Sequence, residues 1–265
     1  MLIDSHCHLD HFQPDEMAAL LDRAQEAGLD GMVTIGTRLS AAPANRDLLR
    51  YARPNLAIWC TIGTHPDHVA EETLPEPEWL AESAAAPGVI GIGESGLDYF
   101  HGGPEVRDLQ QASFRAHLHA ARLADLPLVI HARDADDDTA AILQEEHAAG
   151  GPFRFLLHCF SSGAPLADVA VGLGGYISFS GILTFPKSEA LRTIAATVPS
   201  DRLLVETDSP FLAPVPRRGR RNEPAFVAHT AASLARIRGL SEDALAQLTS
   251  RNFHTLFSKA TPGCA

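Results

Sequence analysis

Leu2-Ile3-Asp4-Ser5-His6-Cys7-His8 is a strand-like run that ends in two histidines, and that ending decides how the whole chain is read. On an extended segment, residues two apart point to the same side. His6 and His8 therefore face together, about 6–7 Å apart at the backbone, where two neutral imidazoles can converge on one borderline metal ion. Cys7 points the other way, toward a helix layer. A lone His-x-His is common by chance, so its weight comes from recurrence. Val89–Gly93 runs into Glu94, Leu128–His131 leads to Arg133, and Arg154–His158 ends on a further histidine. Leu203–Glu206 runs on to Asp208, and Ala57–Ile62 opens into Gly63-Thr64-His65-Pro66. Gly31–Ile35 and Gly175–Phe179 complete eight strand candidates, six of which deliver a histidine or carboxylate to one rim.

Working outward from these runs, longer amphipathic stretches separate the strands, among them Asp15–Ala27, Glu105–Ala124 and Ala135–Ala149. Strands alternating with helices predict βαβ units and a parallel sheet. Eight such units in 265 residues predict an α/β fold of the TIM-type (β/α)8 barrel class, with residues 1–265 as one domain. Barrel active sites gather at the C-terminal ends of the strands, which is where the histidines and carboxylates fall. Ser209–Glu223 is rich in proline, arginine and glycine and reads as a loop. Pro224–Arg238 and Ser241–Ser258 then read as helices, the second an addition to the barrel, with Ser241 as its cap.

Composition narrows the function classes. Apolar residues make up 45% and charged residues 20%, which excludes a disordered or fibrous chain. No apolar run approaches a membrane span, and Met1–Asp10 lacks the basic and apolar regions of a secretory signal. A cytoplasmic location follows as the expectation, with Cys7, Cys60, Cys159 and Cys264 reduced, since no metal-ribbon spacing links them. No obligate protein partner is called for, and with no exposed apolar stripe in view a monomer is expected. The formal net charge of -12 argues against broad electrostatic attraction to nucleic acid, although bound cations supply positive charge locally. One dense basic cluster, Arg217–Arg221, reads either as backbone capture or as a salt-bridged loop.

The rim residues divide by position. A glutamate closing an apolar strand is costly unless paired or metal-bound, so Glu94 is a ligand candidate, with an ion pair to Arg133 as its structural alternative. Neither lysine, Lys187 nor Lys259, ends a strand where a bridging carbamate could form, which leaves Glu94 as the available bridge. Asp208 lies at the rim and reads as ligand and proton acceptor. Glu206, one layer deeper, reads as orienting a ligand or pairing with an arginine. His65 reads as a substrate contact. His11, His68, His101, His117, His119, His147, His229 and His254 fall on helices or loops and read as surface or capping residues.

Together, Asp4–Asp10, Gly63–Pro66, Gly93–Tyr99, His131–Arg133, His158–Ser161, Glu206–Pro210 and Arg218–Pro224 resemble the TatD family of metal-dependent deoxyribonucleases, in the family's order. The resemblance implies a β/α barrel with His6, His8, Glu94 and Asp208 around one metal and Glu94, His131 and His158 around another. It implies two divalent cations, with zinc, manganese, iron or magnesium as candidates, and DNA, as single strands or 3′ ends, as substrate. Ser95 and the longer His158-Cys159-Phe160-Ser161-Ser162-Gly163 segment depart from the family pattern without touching a ligand.

The expected reaction is phosphodiester hydrolysis by a metal-activated water, the family's 3′-to-5′ exonuclease activity. Asp208, Glu94 and His65 are its catalytic residues, and Arg133 and His65 its phosphate contacts. A binuclear hydrolase of small phosphoesters, lactones or amides is the alternative on the same residues. A catalytically silent scaffold is disfavoured by the full ligand set.

Overall fold

The computed structural model describes residues 2–260, so Cys264 lies outside the described residues. One parallel sheet holds β1 (Leu2–Cys7), β2 (Leu29–Thr34), β3 (Ala57–Ile62), β4 (Val89–Asp98), β5 (Leu128–Arg133), β6 (Phe155–Leu157), β7 (Tyr176–Phe179) and β8 (Leu203–Val205), paired in chain order. The ends meet just past β8. Cys7 and Ser209 form a parallel bridge, His8 N–H donates to the Ser209 carbonyl at 2.8 Å, and Asp208 N–H donates to the His6 carbonyl at 2.9 Å. The expected barrel is thus present.

Its helices are α1 (Met17–Glu26), α2 (Ala42–Asp47), α3 (Pro77–Ser83), α4 (Arg107–Ala124), α5 (Asp136–Gly150), α6 (Ala164–Gly172), α7 (Glu189–Thr197), α8 (Val227–Arg238) and α9 (Glu242–Leu256). Side chains alternate between two cores. Cys7, Ile58, Ile92, Leu128 and Phe155 pack outward against the helices, whereas Ile3, Val33, Trp59, Ile90, Val129, Leu156 and Leu204 fill the barrel interior. The additional helix α9 completes that interior with Phe253, Leu256 and Phe257, each at most 1% exposed. Burying each of these side chains stabilises by roughly 1.5–3 kcal/mol. Ser241 caps α9 as expected, its hydroxyl accepting from Ala244 N–H at 3.2 Å. Among the described residues, no helix is long and apolar enough to cross a membrane.

Two strand boundaries differ from expectation in ways that matter for the site. β4 does not stop at Gly93 but runs on to Asp98, paired with β5 as far as Arg133. β8 stops at Val205, so Glu206 and Asp208 are not carried on one extended strand. The chain turns instead: Asp208 adopts φ 56°, and its carbonyl accepts from Phe211 N–H at 2.9 Å. Asp tolerates this left-handed conformation better than most residues. Buried Asn222 ties the turn down, donating its side-chain N–H groups to the Thr207 and Phe211 carbonyls at 2.9 and 2.5 Å.

The arginine cluster is mostly anchored. Arg221 pairs with Glu16 at 2.8 Å and lies over the Phe12 ring, and Arg218 lies over Phe185 at 3.9 Å. No residue of Arg217–Arg221 lines the central cleft. The loop-anchoring reading of this cluster is the one its contacts support.

Candidate metal centre

Glu94 sits at the centre of the rim, 2% exposed, where burial of a carboxylate demands partners. Its two oxygens address two separate sets of nitrogens. Oε2 lies 3.3 Å from His6 Nε2 and 4.0 Å from His8 Nε2. Oε1 lies 2.6 Å from His158 Nε2, 3.0 Å from His131 Nδ1 and 3.4 Å from His65 Nε2. Asp208 completes the first set, with Oδ1 3.3 Å from His8 Nε2 and 3.6 Å from His6 Nε2. The backbone around Glu94 packs against its neighbouring strands too closely to admit a side chain. A side chain at Gly93, where φ is 117°, would meet the Val129 carbonyl at 2.6 Å, and one at Gly63 would meet Gly93 Cα at 2.6 Å.

The backs of the second set are held by carboxylates. His131 Nε2 lies 3.0 Å from Asp98 Oδ2, and His158 Nδ1 lies 3.3 Å from Glu206 Oε1. An imidazole that gives its N–H to such a carboxylate turns its lone pair the other way, here onto Glu94. A lone pair 2.6–3.0 Å from a carboxylate oxygen is repulsive unless the two atoms share a positive species, a proton or a metal ion bound by both. A divalent cation meets that condition, and this donor chemistry fits one on each side of Glu94. His6 and His8 repeat the pattern: their Nε2 atoms approach to 3.3 Å, and both rings are buried with Nδ1 unpartnered. His6 also stacks on His158 at 3.9 Å, a contact two imidazolium rings would resist.

Electrostatics follow the geometry. Burial works against ionisation of Glu94, but the surrounding imidazoles outweigh it and hold the carboxyl well below its usual range. Burial likewise opposes charging of His158, yet Glu94 and Glu206 push it well above an ordinary histidine. His6 moves down, because burial dominates and His158 adds repulsion. Beneath the centre, burial raises Asp4 to about 8; its Oδ1 accepts from Thr207 N–H and its Oδ2 from the Thr207 hydroxyl, clamping the end of β8 to β1.

All seven residues expected to work at the centre converge there: His6, His8, His65, Glu94, His131, His158 and Asp208. Arg133 reaches only the mouth. It is exposed, lies over the Phe100 ring at 4.2 Å and makes no ion pair with Glu94, so that structural alternative is not realised. Glu206 orients a histidine and pairs with no arginine; it also accepts from Cys159 N–H at 2.7 Å.

Two residues escaped the sequence reading. Asp98 lies in the Gly93–Tyr99 segment but carried no role, because the strand was expected to end five residues earlier. Its Oδ1 accepts from the N–H groups of Phe100 and His101 at 3.0 and 2.8 Å, and His101 Nδ1 lies 3.0 Å from Oδ2. His101 is thus part of the Asp98 network, although half exposed. His117 is a plain correction: expected at the surface, it is fully buried. Its Nδ1–H donates to the Ser113 carbonyl at 2.7 Å, and its Nε2 accepts from Thr64 N–H at 2.9 Å, which fixes the backbone beside His65. Its position on the inward face of α4 was the available signal.

The centre opens into a cleft of about 1380 Å³. Comparison with known proteins agrees with this architecture. A family model described as TatD related DNase matches residues 3–258. An Escherichia coli (strain K12) protein named uncharacterized metal-dependent hydrolase YcfH is 42% identical over 262 residues, spanning 97% of this chain and 95% of that protein. A protein of Enterobacter lignolyticus named 3′-5′ ssDNA/RNA exonuclease TatD is 34% identical over 249 residues, spanning 91% and 93%. The crystal structure of YJJV, a TatD homologue from Escherichia coli K12, superposes with a TM-score of 0.87 at 29% identity over 97% of this chain and 98% of that one. With the family model matching residues 3–258 and the Escherichia coli relative 42% identical over nearly the whole of both chains, the chain belongs to the TatD-related DNase family and is a metal-dependent hydrolase.

Proposed function

We propose that the chain is a deoxyribonuclease that removes nucleotides from the 3′ end of DNA, and that Glu94 would be shared between two divalent cations. The observation that carries this reading is the division of labour within Glu94, whose Oε2 faces His6 and His8 while its Oε1 faces His131 and His158. The name of the Enterobacter relative, an exonuclease of single-stranded DNA and RNA, supports the substrate class. His6, His8, Asp208 and Glu94 would hold one cation, and Glu94, His131 and His158 the other. Such a pair polarises a phosphodiester and acidifies a water, and imidazole-rich shells suit zinc, manganese or iron better than magnesium.

The remaining chemistry belongs to side chains. Asp208 stays ionised: burial raises its carboxyl, but His8 and His6 outweigh burial, and it takes the proton of the attacking water. His65 Nδ1 accepts from Asp67 N–H at 3.1 Å, so the neutral ring carries its proton on Nε2, directed into the centre. That N–H holds a phosphate or leaving-group oxygen. Arg133 at the mouth offers the planar guanidinium that suits phosphate.

One observation favours the alternative of small phosphoesters or lactones. Asp134, Asp136, Asp137 and Asp138 line one side of the cleft and repel a long polyanion. The deciding experiment uses 3′- and 5′-labelled single-stranded DNA with protein stripped of metal and resupplied with Mg²⁺, Mn²⁺, Zn²⁺ or Fe²⁺. Metal-restored release of 3′ nucleotides, lost in Glu94→Gln, is the expected result. Intact DNA alongside turnover of a small phosphodiester or lactone overturns the DNA assignment.

A further inference from the structure

Phe211 is a large apolar side chain left 49% exposed on the wall of the cleft, three residues past Asp208. Single exposed apolar residues are ordinary on any surface, so the exposure alone carries little. Its placement carries more. The ring centroid lies 6.0 Å from His8 and 5.5 Å from His11, inclined to them by 69° and 74°, forming a corner of three rings beside the His6–His8–Asp208 side of the centre. The corner is also rigid at its base. The turn that aims Asp208 inward is the turn that presents Phe211 outward, and Asn222, buried to 0% exposure, binds the Phe211 carbonyl.

We infer that Phe211, edged by His11, is the stacking platform for a nucleobase whose neighbouring phosphate lies at Glu94 and Asp208. This rests on the nuclease reading above and deepens it. Every base offers a flat face, so an aromatic platform binds without demanding sequence, at a strength that costs roughly 5- to 150-fold when the ring is removed. The acidic side of the cleft gives the platform its direction. Asp134, Asp136, Asp137 and Asp138 line the cleft after β5, whereas Phe211 follows β8. Asp10 also lines the aromatic side, 4.0 Å from His11, but the four carboxylates after β5 make the other side the more repulsive to a continuing strand.

The test pairs Phe211→Ala and Phe211→Trp with three single-stranded oligonucleotides: one complete, one abasic at its terminal residue and one abasic at the penultimate residue. On the complete strand, Phe211→Ala loses roughly 5- to 150-fold in kcat/KM and Phe211→Trp retains activity. On one of the abasic strands the Ala variant and the parent protein become equal, because the base that stacks is already gone. In a second readout, metal-loaded parent protein quenches the fluorescence of 2-aminopurine at that position of a hydrolysis-resistant phosphorothioate strand and Phe211→Ala does not. An equal loss on all three strands, no loss at all, or no quenching by the parent protein overturns the platform. If the parent protein hydrolyses none of the strands, the nuclease reading itself fails, and the platform falls with it.

Discussion

Asp98→Asn separates the role of a carboxylate from the role of a shape. In the parent protein Asp98 Oδ1 accepts two backbone N–H groups while Oδ2 faces His131 Nε2 at 3.0 Å. An asparagine keeps the first arrangement by placing its carbonyl oxygen at Oδ1. That choice puts its NH2 group against His131, which must then accept on Nε2 and carry its proton on Nδ1. Nδ1 is the atom 3.0 Å from Glu94 Oε1, so the proton arrives where a cation needs a lone pair. Losing such a carboxylate behind a histidine ligand costs about 10- to 100-fold in metal affinity, and a forced tautomer belongs at the upper end. Stability should fall by less than metal affinity, because the volume and both backbone hydrogen bonds survive while the charged contacts of Oδ2 with His131 and His101 are lost. Isothermal titration of metal-free protein with Zn²⁺ or Mn²⁺, alongside a thermal melt, measures both quantities. The expected outcome is one weakened site beside one of parent affinity, in a folded protein with a modestly lower melting temperature. Two sites of parent affinity in a folded Asp98→Asn protein would refute the argument that Asp98 sets the His131 tautomer.

Further predictions concern the frame around the centre. Burial lowers His117 from 6.5 to about 4, so the folded protein holds this ring neutral while the unfolded chain takes up a proton below pH 6.5. Its contribution is therefore complete above pH 6.5 and is lost as pH falls toward 4, on the order of 3 kcal/mol in all. Urea unfolding of the parent and of His117→Gln at pH 7.5, 6, 5 and 4.5 should show the parent losing more stability on acidification; parallel curves would dismiss the assignment. Asn222→Ala leaves the Thr207 and Phe211 carbonyls without their buried donor and should cost about 2–3 kcal/mol. A melting temperature within a degree of the parent's would mean that the turn holds itself.

How much was legible in advance follows from what local sequence encodes. Apolar runs at strand length, alternating with amphipathic helices, specified the barrel, because each unit must bury one face against its neighbours. His6, His8, Glu94, His131 and His158 were readable because strand ends in a barrel share one rim, so position along the chain fixes position in space. The motifs spanning Asp4 to Pro224 carried the family. Relations between elements arise only in the closed barrel. Asp98 serves His131 because β4 stays paired with β5 for five residues beyond Gly93, a property of the neighbouring strand. His117 is buried because α4 turns that face to the Thr64 backbone, and helical periodicity alone does not say which polar residue will find a partner. Asp208 reaches the centre through a left-handed turn, not along a strand, and that turn is held by Asn222 from 14 residues away in the chain. Strand ends, in short, are local facts. The hydrogen bonds that aim their side chains join residues far apart in sequence, and those exist only once the barrel has closed.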